Sequence, residues 1–412
     1  MKERSRIGML KRLQLYIHIP FCVKKCQYCD FLSFASDERT QLEYADALIR
    51  EIKFYGSQLK DYTVSTIYIG GGTPTWLHED KMVEILDAID TYFDILPGAE
   101  ISMECNPGTV TAAKLKKYRK AGINRLSIGL QSADNEELRM LGRIHTYEQF
   151  MKTYEMARNA GFTNINVDLI SGIPYQNTEK FLATLQKVVR LRPEHISAYS
   201  LIVEPDTPFY ELYKQDLEKQ DAGVQTEVLP TEDEVYRIYK MTQRYLADAG
   251  YEQYEISNYA YPGFACEHNI GYWTRENYLG LGLGAASLVE NIRYSNCMDL
   301  TNYIENSKHI KWLEYQGEEE NTIATNLHAS VDILSRKAQM EEFMFLGLRQ
   351  NCGVTRARFE ENFGISIDAI YKDVFSYLQK EKLLEMHAGH IALTEKGQDL
   401  SNFALAQFLL EE

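Results

Sequence analysis

The sequence predicts an α/β chain, a partial (β/α)6 barrel followed by a small α-rich C-terminal domain. Three observations carry this. Short apolar runs rich in β-branched and aromatic residues alternate six times with stretches of helical spacing between residues 15 and 201. The links between them are short. After about residue 331 the pattern changes to helices with one short strand pair. Repeated β-then-α order implies parallel strands joined by right-handed crossovers. Six units favour an open barrel over a closed eightfold one, with a doubly wound open sheet as the alternative. Functional groups then belong at the C-terminal ends of the strands.

The first strand, residues 15–19, is stopped by Pro20, and a cysteine-rich loop follows. Apolar residues at helical spacing (Leu42, Ala45, Leu48, Ile49, Ile52) predict a helix over 38–55. The second strand, 64–69, runs into Gly70-Gly71-Gly72-Thr73-Pro74. Helices over 80–93 and 112–121 alternate with strands over 100–104 and 125–129. Two helices flank Gly142, and strand 165–170, helix 178–189 and strand 195–201 complete the sixfold series. Residues 204–230 are polar, carry Pro205, Pro208 and Pro230, and read as an extended insertion within a first domain of residues 1–255. A helix over 232–249 and an extra strand over 251–256 close that domain. Residues 256–330 read as an extension with a tight glycine loop (Gly280, Gly282, Gly284) and a polar connector over 303–327 that includes Glu318, Glu319 and Glu320. Residues 331–412 read as a winged-helix-like domain. That segment has more acidic than basic residues, which argues against DNA binding.

A length of 412 residues exceeds the usual single core, and 45% hydrophobic with 25% charged residues is ordinary globular composition. A net charge of −15 disfavours non-specific binding to nucleic acid or an anionic membrane. Seven cysteines, an odd number without paired spacing, do not form a disulfide framework. The first 14 residues are basic but lack the apolar core of a signal peptide. No apolar run approaches the roughly 18 residues of a spanning helix. A reduced, cytoplasmic protein is expected.

Cys22, Cys26 and Cys29 fall within eight residues, spaced C-x3-C-x2-C. Soft thiolate ligands suit iron–sulfur clusters or zinc. A structural zinc site normally shows four ligands in two paired blocks, and no second pair is present. Three thiolates fit three irons of a [4Fe–4S] cube and leave the fourth open. Cys105, Cys266, Cys297 and Cys352 read as packing thiols. Gly71, Gly72 and Thr73 end the second strand on the same rim, where the lack of a side chain allows close backbone approach to a ligand. Glu104, Gln131 and Asp168 lie at strand ends, where polar groups hold a polar ligand. Arg143 is suited to bidentate pairing with a carboxylate. His268, with Asn269, Tyr272 and Trp273 beside it, reads by itself as a histidine hydrogen-bonded in a loop, with an iron-ligand role as the alternative.

Several motifs together resemble the coproporphyrinogen III oxidase branch of the radical S-adenosylmethionine (SAM) proteins. They are Tyr16-Ile-His18-Ile-Pro-Phe-Cys22 with the cysteine loop, the run from Gly70 to Pro74, Glu104-Cys-Asn-Pro107, Gly129-Leu-Gln131-Ser and Asp168-Leu-Ile-Ser-Gly172-Ile-Pro174. The resemblance implies a TIM-like barrel of the radical SAM type. It implies a [4Fe–4S] cluster on Cys22, Cys26 and Cys29, whose open iron takes the amino and carboxylate groups of SAM. It implies SAM contacts at Tyr16, Gly71, Gly72, Thr73, Glu104, Gln131, Arg143 and Asp168, with Tyr28 beside the adenine. That branch holds an oxygen-independent oxidase and a heme chaperone. The oxidase has a further cysteine two residues after the third ligand and a longer N-terminal segment. Here Cys29-Asp30-Phe31 follows, and Cys22 comes early. His268-Asn-Ile-Gly-Tyr272-Trp273 resembles the chaperone's H-N-x-x-Y-W signature, and the resemblance implies a heme contact at His268, with Asn269, Tyr272 and Trp273 packing a porphyrin edge. The chaperone's histidine after the later glycine loop is replaced by Gly284-Ala-Ala286-Ser287. The expectation is therefore a heme chaperone with cluster and SAM, carrying heme as cargo to an acceptor protein. No catalytic residue is assigned, no nucleic acid or membrane span is expected, and homodimerisation is left open. The alternative is the oxidase.

Overall fold

A computed structural model describes residues 10–312 and 325–410. Glu318, Glu319 and Glu320 of the expected connector lie outside the described residues. Six parallel strands form the centre of one large sheet: β1 (Lys11–Ile19), β2 (Tyr62–Gly71), β3 (Ile95–Cys105), β4 (Arg125–Gln131), β5 (Ile165–Ser171) and β6 (His195–Ser200). Each pairs in parallel with the next. The helices between them are α1 (Glu38–Gln58), α2 (Glu79–Tyr92), α3 (Ala112–Lys120), α4 (Asn135–Met140), α5 (Tyr147–Asn159) and α6 (Thr178–Val189). The predicted βα series is present, with strands a few residues longer than their apolar runs. The ladder continues where polar residues still pair.

Alternate strand residues explain both faces. Leu15, Ile17, Ile67, Ile69, Met103, Leu126, Ile128, Val167, Leu169 and Ile196 are buried in the main hydrophobic core. The intervening positions are polar: Gln14, Tyr16, Thr66, Tyr68, Glu100, Ser102, Glu104, Arg125, Ser127, Asn166, Asp168, His195 and Ser197. Register places them side by side, Gln14 beside Thr66 beside Glu100, and Glu104 beside Ser127 beside Asn166. Barrel interiors are ordinarily filled by branched apolar side chains. A polar inner face instead suits a ligand cavity.

The region expected as a polar extended insertion contains a helix, α7 (Pro208–Asp221). Thr207 caps it, its Oγ1 accepting from Tyr210 N at 3.2 Å, and Pro208 occupies the first helical turn, where its missing N–H costs nothing. Helix α8 (Glu232–Asp248) follows. The expected extra strand is two short ones, β7 (Glu252–Gln253) and β8 (Asn258–Ala260), with β8 antiparallel to β6. Helix α9 (Glu267–Trp273) comes next. Residues beyond it are part of the same sheet. β9 (Tyr278–Leu281) pairs in parallel with β1, and β10 (Ala286–Val289), β11 (Ile292–Asn296) and β12 (His328–Ile333) extend that edge. The sheet order is β12-β11-β10-β9-β1-β2-β3-β4-β5-β6-β8-β7, so it does not close.

A second hydrophobic core runs from Met340 to Phe408. It holds helices Arg336–Gly347, Arg356–Phe363 and Ile367–Lys380 and a small sheet of β13 (Val354–Thr355), β15 (His390–Leu393) and β14 (Leu384–His387) in that order. Two short helices, Glu395–Asp399 and Ser401–Ala406, follow, and the three longer helices with the three-stranded sheet form a winged-helix-like arrangement. This unit meets α9: Arg358 Nη2 donates to Thr274 O at 2.8 Å, and the Arg349 guanidinium lies 4.6 Å from the Trp273 ring centre.

Candidate functional site

The C-terminal ends of β1–β6 open into a cavity of about 520 Å3, a volume in the range of small-molecule sites. The expected residues Cys22, Cys26, Cys29, Tyr28, Gly71, Gly72, Thr73, Glu104, Gln131, Arg143 and Asp168 all line it. Two do not. Tyr16 lies beside Tyr68, rings stacked with centres 6.4 Å apart, and its hydroxyl bonds His18 Nδ1 at 3.0 Å. His268, discussed below, is the other.

The cysteine loop is pinned at several points. Cys22 N donates to Phe34 O at 3.0 Å, Phe34 N to Pro20 O at 2.9 Å, and Gln27 N to Leu141 O at 3.2 Å. Helix α7 braces it from outside: Phe209 N donates to Gln27 O at 3.1 Å, and the Phe209 and Tyr28 rings meet edge-on at 6.3 Å. Tyr28 thus both lines the cavity and packs with the small cluster of Leu141, Ile170, Ile173 and Phe209. Gly72 N and Thr73 N donate to Ile19 O and Phe21 O, each at 2.8 Å. A Cβ at Gly72 would sit 2.8 Å from Phe21 O, and one at Gly71 (φ +113°) would meet the His18 ring at 2.5 Å. These two glycines are therefore required by the closeness of β2 to β1. Both also line the cavity, so their backbone faces the ligand space as well.

A buried polar chain links two of the cysteines. Thr73 Oγ1 donates to Cys22 Sγ at 3.5 Å and accepts from Asn106 Nδ2 at 2.7 Å. Asn106 Oδ1 accepts from Arg143 Nη2 at 2.7 Å, and Arg143 Nη1 reaches Cys26 Sγ at 3.6 Å. Arg143 also donates to Gly129 O at 2.8 Å, while its buried Nε has no partner. Arg143 thus sets a guanidinium's positive charge directly against the Cys26 sulfur. Ser33 Oγ lies 4.0 Å from Cys29 Sγ.

Two carboxylates face the same space. Glu104 accepts from Gly71 N at 3.1 Å and Tyr68 Oη at 3.2 Å. Asp168 accepts from Ser127 Oγ at 2.9 Å and Asn166 Nδ2 at 2.7 Å. Burial first, then the nearby Asp168 charge, pushes the Glu104 carboxyl up to about 7; burial raises Asp168 as well. Gln131 has φ +72°, at a register shift between β4 and β5. All seven cysteines are free. Among the described residues no three His, Cys, Asp or Glu side chains converge on one metal ion. A cube needs no such convergence, since each thiolate takes its own iron, whereas a single zinc does. The three-thiol loop with its guanidinium fits a cluster, and the two destabilised carboxylates fit a cationic ligand such as SAM.

His268, expected as an accessible heme ligand, is 1% exposed. Its Nδ1 bonds Thr66 Oγ1 at 2.7 Å and its Nε2 bonds Tyr272 Oη at 3.0 Å, and its ring stacks on Tyr68. Burial, with Arg125 nearby, lowers its pKa to about 3, so it is neutral. The start of α9 is held by Glu100, which accepts from Cys266 Sγ, Glu267 N and His268 N. Both ring nitrogens of His268 are thus hydrogen-bonded inside the barrel in this structure. The sequence reading missed Asn106, Tyr68 and Ser127, which orient the groups above. It also missed His145, which lines the cavity and donates Nε2–H to Leu130 O at 3.2 Å. Its place in Gly142-Arg143-Ile144-His145, beside an arginine already singled out, was the available signal.

Six parallel βα units with a three-cysteine loop at one rim define the class, and residues 16–188 match the Radical SAM superfamily, while residues 334–400 match the HemN C-terminal domain. The chain is 34% identical to the heme chaperone HemW of Lactococcus lactis, covering 96% of this chain and 97% of the relative. It is also 34% identical to that of Bacillus subtilis, covering 96% and 99%. The chain belongs to the HemW family. In fold it is similar to the Escherichia coli coproporphyrinogen III oxidase HemN, a radical SAM enzyme, with a TM-score of 0.80 at 24% identity over 98% of this chain and 92% of that one.

Proposed function

We propose that this protein is a heme chaperone that binds heme as cargo, passes it to an acceptor protein, and carries a [4Fe–4S] cluster and SAM in its barrel. The observation that carries the reading is near full-length likeness to relatives named heme chaperones. Cys22, Cys26 and Cys29 hold the cluster. Thr73, Glu104, Gln131, Arg143 and Asp168 hold SAM, with Tyr28 at the adenine. When bound, a reduced cluster supplies one-electron chemistry at the SAM sulfonium. The chain's own residues do the positioning: Arg143 keeps a positive charge against Cys26, Asn106 fixes Arg143 relative to Thr73, and Glu104 and Asp168 offer negative charge to cationic groups. Phe31, where the oxidase pattern has a cysteine, supports the chaperone over the oxidase.

The partner is a heme-accepting protein, the setting is the cytoplasm, no nucleic acid is bound, and a homodimer is the assembly to look for. Among the described residues no helix is long and apolar enough to cross a membrane. Anaerobic titration of the reconstituted full chain with heme tests the reading by absorbance. The expected result is saturation at one heme per chain; a protein that takes up no heme contradicts it.

A further inference from the structure

The mouth of the cavity carries an apolar rim that neither the cluster nor SAM explains. Five exposed large apolar side chains line this one cavity: Val23 and Phe31 of the cysteine loop, Ile144 after Arg143, Tyr199 at the end of β6, and Ile202 just beyond it. Phe31 and Ile202 are each 70% exposed, and Ile144 is 57%. They come from the segments after β1 and β4 and from β6 and the residues just beyond it, so they surround the opening and do not share one loop. Single exposed apolar residues need no explanation, but a set gathered around a cavity marks a binding surface.

Charged side chains of both signs flank the rim, with Lys24, Asp30 and Glu204 lining the cavity. Lys24 and Lys25 are both exposed, and Lys24 lines the cavity. Neither makes an ion pair among the described residues, although the chain carries a net charge of −15. An apolar ring with two adjacent free ammonium groups at one side matches a flat apolar ligand bearing carboxylates along one edge. Heme has that form, its two propionates lying together on one side of the macrocycle.

We propose that heme docks across this mouth, its macrocycle on Phe31, Ile144 and Ile202 and its propionates at Lys24 and Lys25. The inference rests on the heme-chaperone reading and adds where the cargo sits. Heme so placed roofs the cavity, and SAM beneath it leaves more slowly.

The test uses the full chain, reconstituted anaerobically and titrated with heme as the parent, as Phe31→Ser with Ile202→Ser, and as Lys24→Glu with Lys25→Glu. The altered side chains are exposed, and cluster absorbance and SAM binding report that each variant is intact. Both double variants should bind heme roughly tenfold or more weakly, the first through lost apolar contact and the second through lost ion pairing. The lysine variant should also lose the salt dependence of the parent. Parent-like heme affinity in both variants overturns the docking site. Intact heme affinity with failed transfer to an acceptor also overturns it and makes the rim a protein-docking surface. A parent that binds no heme sinks the chaperone reading instead.

Discussion

Glu104 and Asp168 sit where burial makes ionisation costly, yet both point into a cavity suited to a cation. The Glu104 carboxyl, pushed by burial up to about 7, binds its proton more tightly folded than unfolded. Its contribution to stability is therefore present below about pH 4.5 and is lost as pH rises through about 7. A cationic ligand reverses the balance, because it favours the ionised form. SAM affinity should rise with pH through about 7 and level off above it, measured by calorimetry on the reconstituted protein. Glu104→Gln should weaken SAM by about 1.5–3 kcal/mol, roughly ten- to hundredfold, and flatten that pH dependence. A parent whose SAM affinity does not change between pH 6 and 8 contradicts this role. Glu104 and Asp168 were legible in the sequence because they lie at or near the ends of apolar strands. Asn106 was not, since its partners Thr73 and Arg143 come from other βα units and no local pattern announces them.

The cysteine loop and α9 show what elements add to their motifs. Cys22, Cys26 and Cys29 were legible from spacing alone. The bracing of their loop by α7 was not. Pro205, Pro208 and Pro230 suggested an extended chain, and only Phe209 and Asp216 of α7 are buried, too few for a visible apolar stripe. Cys26→Ala should reduce bound iron from about four per chain to near zero. Cys105→Ala and Cys352→Ala should leave it unchanged. Iron and sulfide analysis decides this, and a cluster that survives Cys26→Ala removes the assignment. In α9 the sequence showed a family signature but not its burial. His268→Ala leaves Thr66 and Tyr272 without their partner inside the barrel, which costs about 1–3 kcal/mol. Its thermal unfolding midpoint should fall, and any loss of heme uptake should track the loss of folded protein. A variant as stable as the parent, with an altered heme spectrum, would return the axial ligand to His268.

The molecule as a whole was legible as a parallel α/β barrel because each central strand is a compact apolar run on its outer face. Its extension beyond β1 was not, because β9, β10 and β11 have only four or five residues each, and β9 pairs with a strand 264 residues earlier, Gln14 standing opposite Tyr278. What was expected as a separate extension thus completes the barrel sheet and delivers α9 to its interior. The winged-helix-like unit was readable from its own apolar residues, but not its seat on Thr274 and Trp273. A barrel with a full cluster loop, a SAM-sized cavity and an open apolar mouth invites two readings, cargo carrier or oxidase. The most direct measurement is anaerobic incubation of the reconstituted protein with coproporphyrinogen III, SAM and an electron donor, followed by quantification of protoporphyrinogen. The chaperone account predicts no protoporphyrinogen above the protein-free control while the same preparation binds heme. Its steady formation, abolished in Cys26→Ala, would contradict the account and make the protein an oxidase.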